Sequence, residues 1–221
     1  MTGDLRTFVE GLLLVIAALL PIVNPFGGAP VFLAMTADCT AALRATLAQK
    51  IAVNAFVLLL ASLFVGTYVL EFFGLSVTVV QVAGGIVVCA NAWELLRAET
   101  AAPIIPATTP AAREIASRAF YPLTLPVSID AGVIAVAITL GAHHQQTIAG
   151  EAIQIVAALL GSAAIAASLL LAYRYAGRVS GWIGNKGMEI MLRLSALLVL
   201  SIGVQIIWNG AKSLLAEINI T

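Results

Sequence analysis

Two short runs in this 221-residue chain place backbone breakers and polar side chains inside apolar surroundings. The first runs from Pro21 through Asn24, Pro25, Gly27 and Gly28 to Pro30; the second starts 101 positions later and runs from Pro122 through Pro126, Ser128 and Asp130 to Gly132. Each has a Pro-x-x-x-Pro step, then glycine and polar residues, then a resumed apolar run. Proline lacks the N–H and clashes with the preceding turn, so a helix does not pass through such a stretch unbroken. In hydrocarbon, the freed backbone groups are tolerated only against protein or a water-filled cavity. The chemistry open to such residues is the holding of a small polar solute. Gly27 and Gly28 permit positive φ, and Pro30 suits the first turn of a resumed half-helix. That leaves N–H groups around Gly28–Phe32 for a carboxylate at the positive end of a helix dipole. Asn24, Pro25, Gly27 and Gly28 on one side, and Pro126, Ser128, Asp130 and Gly132 on the other, are therefore the candidate substrate-binding residues.

Asp130 is the one acidic residue well inside an apolar segment. A central Asp costs roughly 2.5–3.5 kcal/mol on insertion scales, so it must face protein or water. Three roles are open to it: capping the restarted helix, contacting substrate or a coupling proton or cation, and packing in a polar vestibule. Asn54, Gln81, Asn91, Gln154, Gln205 and Asn209 read as interhelical hydrogen bonders. Glu189 and Arg193 have the spacing of a structural pair on one helix.

The elements that position these residues follow from composition. Hydrophobic residues make up 61% of the chain and charged residues 10%. Charge-free intervals run over 11–37, 51–70, 72–93, 119–142, 152–173 and 194–211. A hydrocarbon core of ~30 Å needs about 20 helical residues, so these predict six transmembrane helices and an all-α polytopic membrane protein. Asp4, Arg6 and Glu10 stand where a secretory signal has its basic region, so the first span is expected to remain. Loops 1–2, 3–4 and 5–6 with their flanks hold Arg44, Lys50, Arg97, Arg113, Arg118, Arg174, Arg178, Lys186 and Arg193, nine of the eleven basic residues. The positive-inside rule makes that face cytoplasmic and both termini extracytoplasmic.

The whole chain reads as one transmembrane domain: a first repeat over 8–96, a Pro- and Ala-rich cytoplasmic linker over 97–118, and a second repeat over 119–215. Three spans per half make equivalent helices run oppositely, an inverted-topology repeat with discontinuous helices 1 and 4. A weaker match sets Gln81–Val88 against Arg193–Leu200. Gly84, Gly85, Gly161 and their small neighbours predict close helix packing.

Several classes fall away. Net charge is zero, which gives no reason to expect a nucleic-acid partner. No Ser/His/Asp set, HExxH, Walker loop or GxGxxG occurs, so neither enzyme activity nor a cofactor is expected. Cys39 and Cys89 lie at different depths and predict no disulfide, and His143 and His144 read as a loop tip rather than a metal site.

The same residues resemble the MarC-type integral membrane proteins. The family's Pro-x-x-Asn-Pro step before a Phe-Leu run is similar to Pro21–Leu33, its Pro-Leu-x-x-Pro opening of span 4 to Pro122–Pro126, and its sixth-span pattern to Gly187–Glu189, Arg193-Leu194 and Gly203–Gln205 through Asn209-Gly210. The resemblance extends from Val9 to Leu215. It implies an inner-membrane protein of 3+3 inverted repeats that transports small neutral amino acids such as glycine and alanine, with substrate between the breaks of spans 1 and 4. Where the family has Gly-Pro-Gly, this chain has Asp130-Ala131-Gly132. The competing expectations are a channel or facilitator for a small cation or neutral solute, and a non-transporting membrane regulator.

Overall fold

A computed structural model of the chain describes residues 2–97, 117–142 and 148–218. Most of the linker, with His143 and His144, lies outside the described residues. The elements are α1 (Thr2–Val23), α2 (Pro25–Met35), α3 (Ala41–Phe72), α4 (Val77–Arg97), a π-helical turn (Ala119–Thr124) and α5 (Ala131–Gly141). A helical run Ile148–Ile218 follows, divided at Gly184 (φ 75°) into α6 (Glu151–Gly184) and α7 (Lys186–Ala216). The left-handed φ at Gly184 is one that side chains resist, which is why the hairpin between α6 and α7 turns there.

Among the described residues five helices are long and apolar enough to cross a membrane: Leu5–Met35 (α1 with α2), α3, α4, α6 and α7. The expected fourth span is not one of them. It consists of the π-helical turn, a turn through Leu125–Ile129, and α5, which at 11 residues rises only about 16 Å. Pro122 and Pro126 prevent a continuous ladder there. The chain is thus a polytopic helical membrane protein whose fourth segment is assembled from pieces.

The first span differs from expectation in the opposite direction. Its interruption is confined to Asn24, which adopts a left-handed conformation (φ 45°, ψ 62°), while Gly27 and Gly28 lie within α2. The ladder bridges the kink, with Asn24 N–H donating to Leu20 at 3.0 Å and Gly28 N–H to the Asn24 carbonyl at 2.9 Å. Pro25, not Pro30, takes the first helical position, where its missing N–H costs nothing.

Burial follows the membrane setting. Leu13, Val57, Phe72, Trp182 and Leu198 are exposed, a state that costs nothing when the solvent is hydrocarbon. The interior holds Leu19, Phe32, Leu59, Val88, Ile165, Leu169 and Tyr173. Helices meet where side chains are missing: a Cβ on Gly84 would overlap Ala135 of α5, one on Gly85 would press Ile207 of α7, and one on Gly161 would press Val15 of α1. Asn54 and Asn91 bond across helices as expected, to Thr124 and Asp130. Gln205 instead bonds Asn209 on the same exposed face of α7, and Glu189 pairs with Arg193 at 2.8 Å. Cys39 and Cys89 are both free.

The C-terminus of α2 is closed by cations. Arg118 donates to the Met35 carbonyl at 3.2 Å and Arg44 to the Thr36 carbonyl at 3.0 Å, where a helix end concentrates negative charge. Arg118 also pairs with Asp38 at 3.0 Å, tying the α2–α3 turn to the start of the fourth segment. The hydrogen bond from Arg118 holds the Asp38 carboxyl below the usual carboxylate range. Burial, with the Asp38 carboxylate beside it, pushes the Cys39 thiol up. A carboxyl whose folded pKa is depressed contributes stability above its unfolded value of about 4, and loses it as pH falls through the folded value. The apparent thermal midpoint in detergent is therefore expected to drop between about pH 5 and pH 3. In Arg118→Met part of that slope should vanish, with about 1 kcal/mol or less lost at neutral pH. An unchanged slope in the variant would assign the acid sensitivity elsewhere.

Candidate functional site

The two interruptions are closed by the same device. Asn24 Oδ1 accepts the N–H of Gly27 at 3.1 Å, and Asp130 Oδ1 accepts the N–H of Val133 at 2.8 Å. Each is the N-cap of an 11-residue helix, satisfying a donor that has no partner inside the helix. The caps lie 106 positions apart, whereas the proline steps lie 101 apart. The prolines are therefore not structural counterparts: Pro25 begins α2, but Pro126 sits in the turn four residues before Asp130.

This changes the expected anion site at α2. Pro25 has no N–H, Gly27 is capped by the Asn24 side chain, and Gly28 bonds to the Asn24 carbonyl. The donors around Gly28–Phe32 are taken up by the helix itself, because it restarts at Pro25 rather than at Pro30. Among the side chains at this end, the Asn24 amide N–H₂ is a donor with no acceptor among the described residues.

Between the caps lies a cavity of about 350 Å³. Asn24, Gly27, Gly28, Pro126 and Asp130 line it, joined by Asn91 and Glu94 of α4. Pro25, Ser128 and Gly132 are not part of its wall. Pro25 is the buried first residue of α2. A Cβ on Gly132 would overlap Val88 and approach the Gly84 carbonyl at 3.0 Å, so Gly132 lets α5 start flush against α4.

Ser128 is 2% exposed. Its hydroxyl donates to the Leu123 carbonyl at 2.8 Å and lies 2.9 Å from the Tyr173 hydroxyl. Tyr173 is buried behind the cavity and stacks on Phe32 of α2, with ring centroids 4.7 Å apart. A Cβ on Gly28 would lie 2.5 Å from the Tyr173 oxygen, so the glycine is what admits the ring. Tyr173 therefore touches both interruptions at once.

The acceptor side of the cavity is Asp130. Its Oδ2 accepts from Asn91 Nδ2 at 2.8 Å while Oδ1 serves the cap. Each carboxylate oxygen has two lone-pair directions, so acceptor capacity remains for a ligand. Glu94, exposed near the end of α4, adds a second carboxylate, and among the described residues no Lys, Arg or His lines the cavity. The wall thus offers amide donors at Asn24, acceptors at Asp130 and Glu94, and apolar surface from Ile22, Val23, Val31 and Val199. Among the described residues no group of His, Cys, Asp and Glu could hold a metal ion.

Glu94 and Tyr173 were not singled out by sequence. Glu94 looks like an ordinary charge at a helix end, and Tyr173 sits in a long apolar run. Their relevance is created by packing of α4 and α6 against the interruptions.

Comparison with known proteins places the whole arrangement. A membrane protein of Methanocaldococcus jannaschii is 31% identical over 96% of this chain and 99% of its own length. Membrane protein YvbG of Bacillus subtilis is 30% identical over 90% of this chain and 93% of its own. The inner membrane protein MarC of Escherichia coli is 28% identical over 88% and 91%. No solved structure matches. The profile of the MarC family integral membrane proteins matches residues 9–215, so that interrupted first span, capped α5 and glycine-lined helix contacts all fall within it, and the chain belongs to the MarC family of integral membrane proteins.

Proposed function

We propose that this protein is a secondary transporter of small neutral amino acids, glycine and alanine or similar zwitterions, across the cytoplasmic (inner) membrane. The observation that carries the reading is one cavity of about 350 Å³ into which Asn24 and Asp130, each the cap of an interrupted span, both face. A zwitterion needs a donor for its carboxylate and an acceptor for its ammonium within a few ångströms. The Asn24 amide supplies the first; Asp130, with Glu94 nearby, supplies the second. The volume falls in the range of small-molecule sites, and half-helix ends near mid-membrane are where transporters hold solutes.

A 3+3 inverted repeat fits this reading. Both interruptions restart as 11-residue helices with an Asx cap, and α4 runs antiparallel to α7, with Gly85 beside Gly203 and Val82 beside Gly210. On the positive-inside rule the basic bias supports extracytoplasmic termini and a cytoplasmic Arg118–Asp38 pair. Alternating access around the cavity is the motion such a repeat provides.

Reconstitution tests the reading directly. In proteoliposomes loaded with unlabelled glycine or alanine, labelled glycine should show saturable counterflow that other small neutral amino acids compete away. Ion conductance without exchange would assign the chain to the facilitator class instead, and neither would support a regulatory role.

Asp130→Asn separates the cap from the charge. Asn caps about as well as Asp, so the loss in stability should be about 1 kcal/mol or less. Uptake should nonetheless fall at least tenfold, since the ammonium loses its counter-charge. If Asp130 also carries a coupling proton, the pH dependence of uptake should flatten in the variant. Wild-type uptake by Asp130→Asn at normal thermal stability would reduce Asp130 to a cap.

A further inference from the structure

A second cavity, of about 330 Å³, lies at the other end of the bundle between α1, α3, α5 and α6. Thr67, Tyr68, Glu151 and Gln154 give it a polar wall, and it reaches inward as far as Leu63, nine residues before the end of α3 and so about 13 Å deep. Glu151 and Gln154 belong to the first turns of α6, the helix that also carries Tyr173 behind the inner cavity.

The two cavities share α1. Val15 lines the outer one and Ile22 the inner one, a separation of seven residues or about 10 Å. One turn from each stands Leu19, which is fully buried. Contact of Gly161 with Val15 sets the register of α6, so that Ile165 falls level with Leu19; Leu59 of α3 lies one turn below Leu63. All three side chains have no exposed surface. A single apolar layer therefore separates two openings that reach towards it from opposite ends.

Ser162 lies beside that layer, one turn along α6 from Ala158 of the outer wall. It too has no exposed surface, and its hydroxyl has no hydrogen-bond partner among the described residues. A buried hydroxyl without a partner carries its full desolvation cost, which a permanently sealed plug of Leu and Ile would not require. We propose that the outer cavity is the far mouth of the same solute route, that Leu19, Leu59 and Ile165 form its closed barrier, and that the Ser162 hydroxyl bonds water or the passing zwitterion when the barrier opens. The proposal rests on the transport reading for the identity of the solute, and on the two cavities alone for the route.

The test uses thiol accessibility in the full-length protein. In a Cys39→Ala/Cys89→Ala background, Gln154→Cys, Leu95→Cys and Ser162→Cys are exposed to a charged, membrane-impermeant methanethiosulfonate from either side of the membrane. Positions 154 and 95 should react from opposite faces, and position 162 should react from the same face as 154, at least tenfold more slowly. If position 162 stays inert from both faces while position 154 reacts to completion, the barrier does not open and the proposal is overturned. If position 154 resists the charged reagent but takes up a lipid-soluble maleimide, the outer cavity is an acyl-chain groove, which also overturns it. None of these outcomes depends on amino-acid uptake: correct labelling with no effect of glycine on the position 162 rate would retain the route and reject the substrate. Should Ser162→Cys fail to fold, Ile165→Cys of the barrier serves in its place with the same reagent: slow reaction from the face that labels position 154 is expected, and inertness from both faces overturns the route.

Discussion

Every peptide group released by the two interruptions has to find its partner inside the protein, because lipid supplies none. The polar residues of the bundle answer that requirement before any other. Asn24 and Asp130 take the N–H groups of Gly27 and Val133. Thr124 and Ser128 donate to the carbonyls of Ala119 and Leu123, which the π-helical turn leaves open to side chains. Arg118 and Arg44 take the carbonyls of Met35 and Thr36. What these side chains have left over faces the cavity: the amide N–H₂ of Asn24 and the spare lone pairs of Asp130. The site is made of the residual valences of groups whose first role is to make a broken helix tolerable.

Tyr173 couples the two interruptions. Its ring fills the space that Gly28 leaves open and stacks on Phe32, while its hydroxyl reaches Ser128. Any relative movement of α2 and the turn before α5 has to break that hydroxyl pair or carry α6 along with it. Because α6 also contributes Ala158 and Gln154 to the outer cavity, a shift of Tyr173 is mechanically linked to the far end of the bundle. A rigid aromatic with one polar tip suits this position better than a flexible side chain, since it transmits displacement without absorbing it.

Much of this was legible in the residues. Charge-free intervals mark the membrane segments because a hydrocarbon core excludes charge, and the broken stretches are marked by proline because it cannot continue a ladder. Asp130 as a cap was legible because its type and its place before an apolar run coincide. The exact form of the breaks was not. Two glycines after Asn24 look like an unwound segment, yet both are helical, since their lack of a side chain serves the approach of Ser195 and Tyr173 rather than an unusual φ. The proline spacing looked like the axis of a duplication, but what the two interruptions share is the Asx cap. Glu94 carried no signal at all: a charge at the end of a membrane helix is what composition leads one to expect anywhere.

The departure from the family's Gly-Pro-Gly at the start of α5 becomes intelligible on these terms. Gly at the N-cap followed by Pro at the first helical position starts a helix through a preset φ. Asp130 followed by Ala131 starts it through a side-chain bond to the Val133 N–H, so one stabilising device replaces another at the same place. The final glycine cannot vary as freely, because a Cβ on Gly132 would overlap Val88 and meet the carbonyl of Gly84. The exchange is thus close to neutral for the backbone while adding a carboxylate to a cavity that already contains Glu94 and, among the described residues, no basic side chain. Among those residues an anion entering the cavity would meet two carboxylates, with the amides of Asn24 and Asn91 to offset them. On the proposed transport reading, a solute carrying an ammonium group would meet a counter-charge at the cap itself, so the change that preserves the helix start would also set which end of a zwitterion the fourth segment holds.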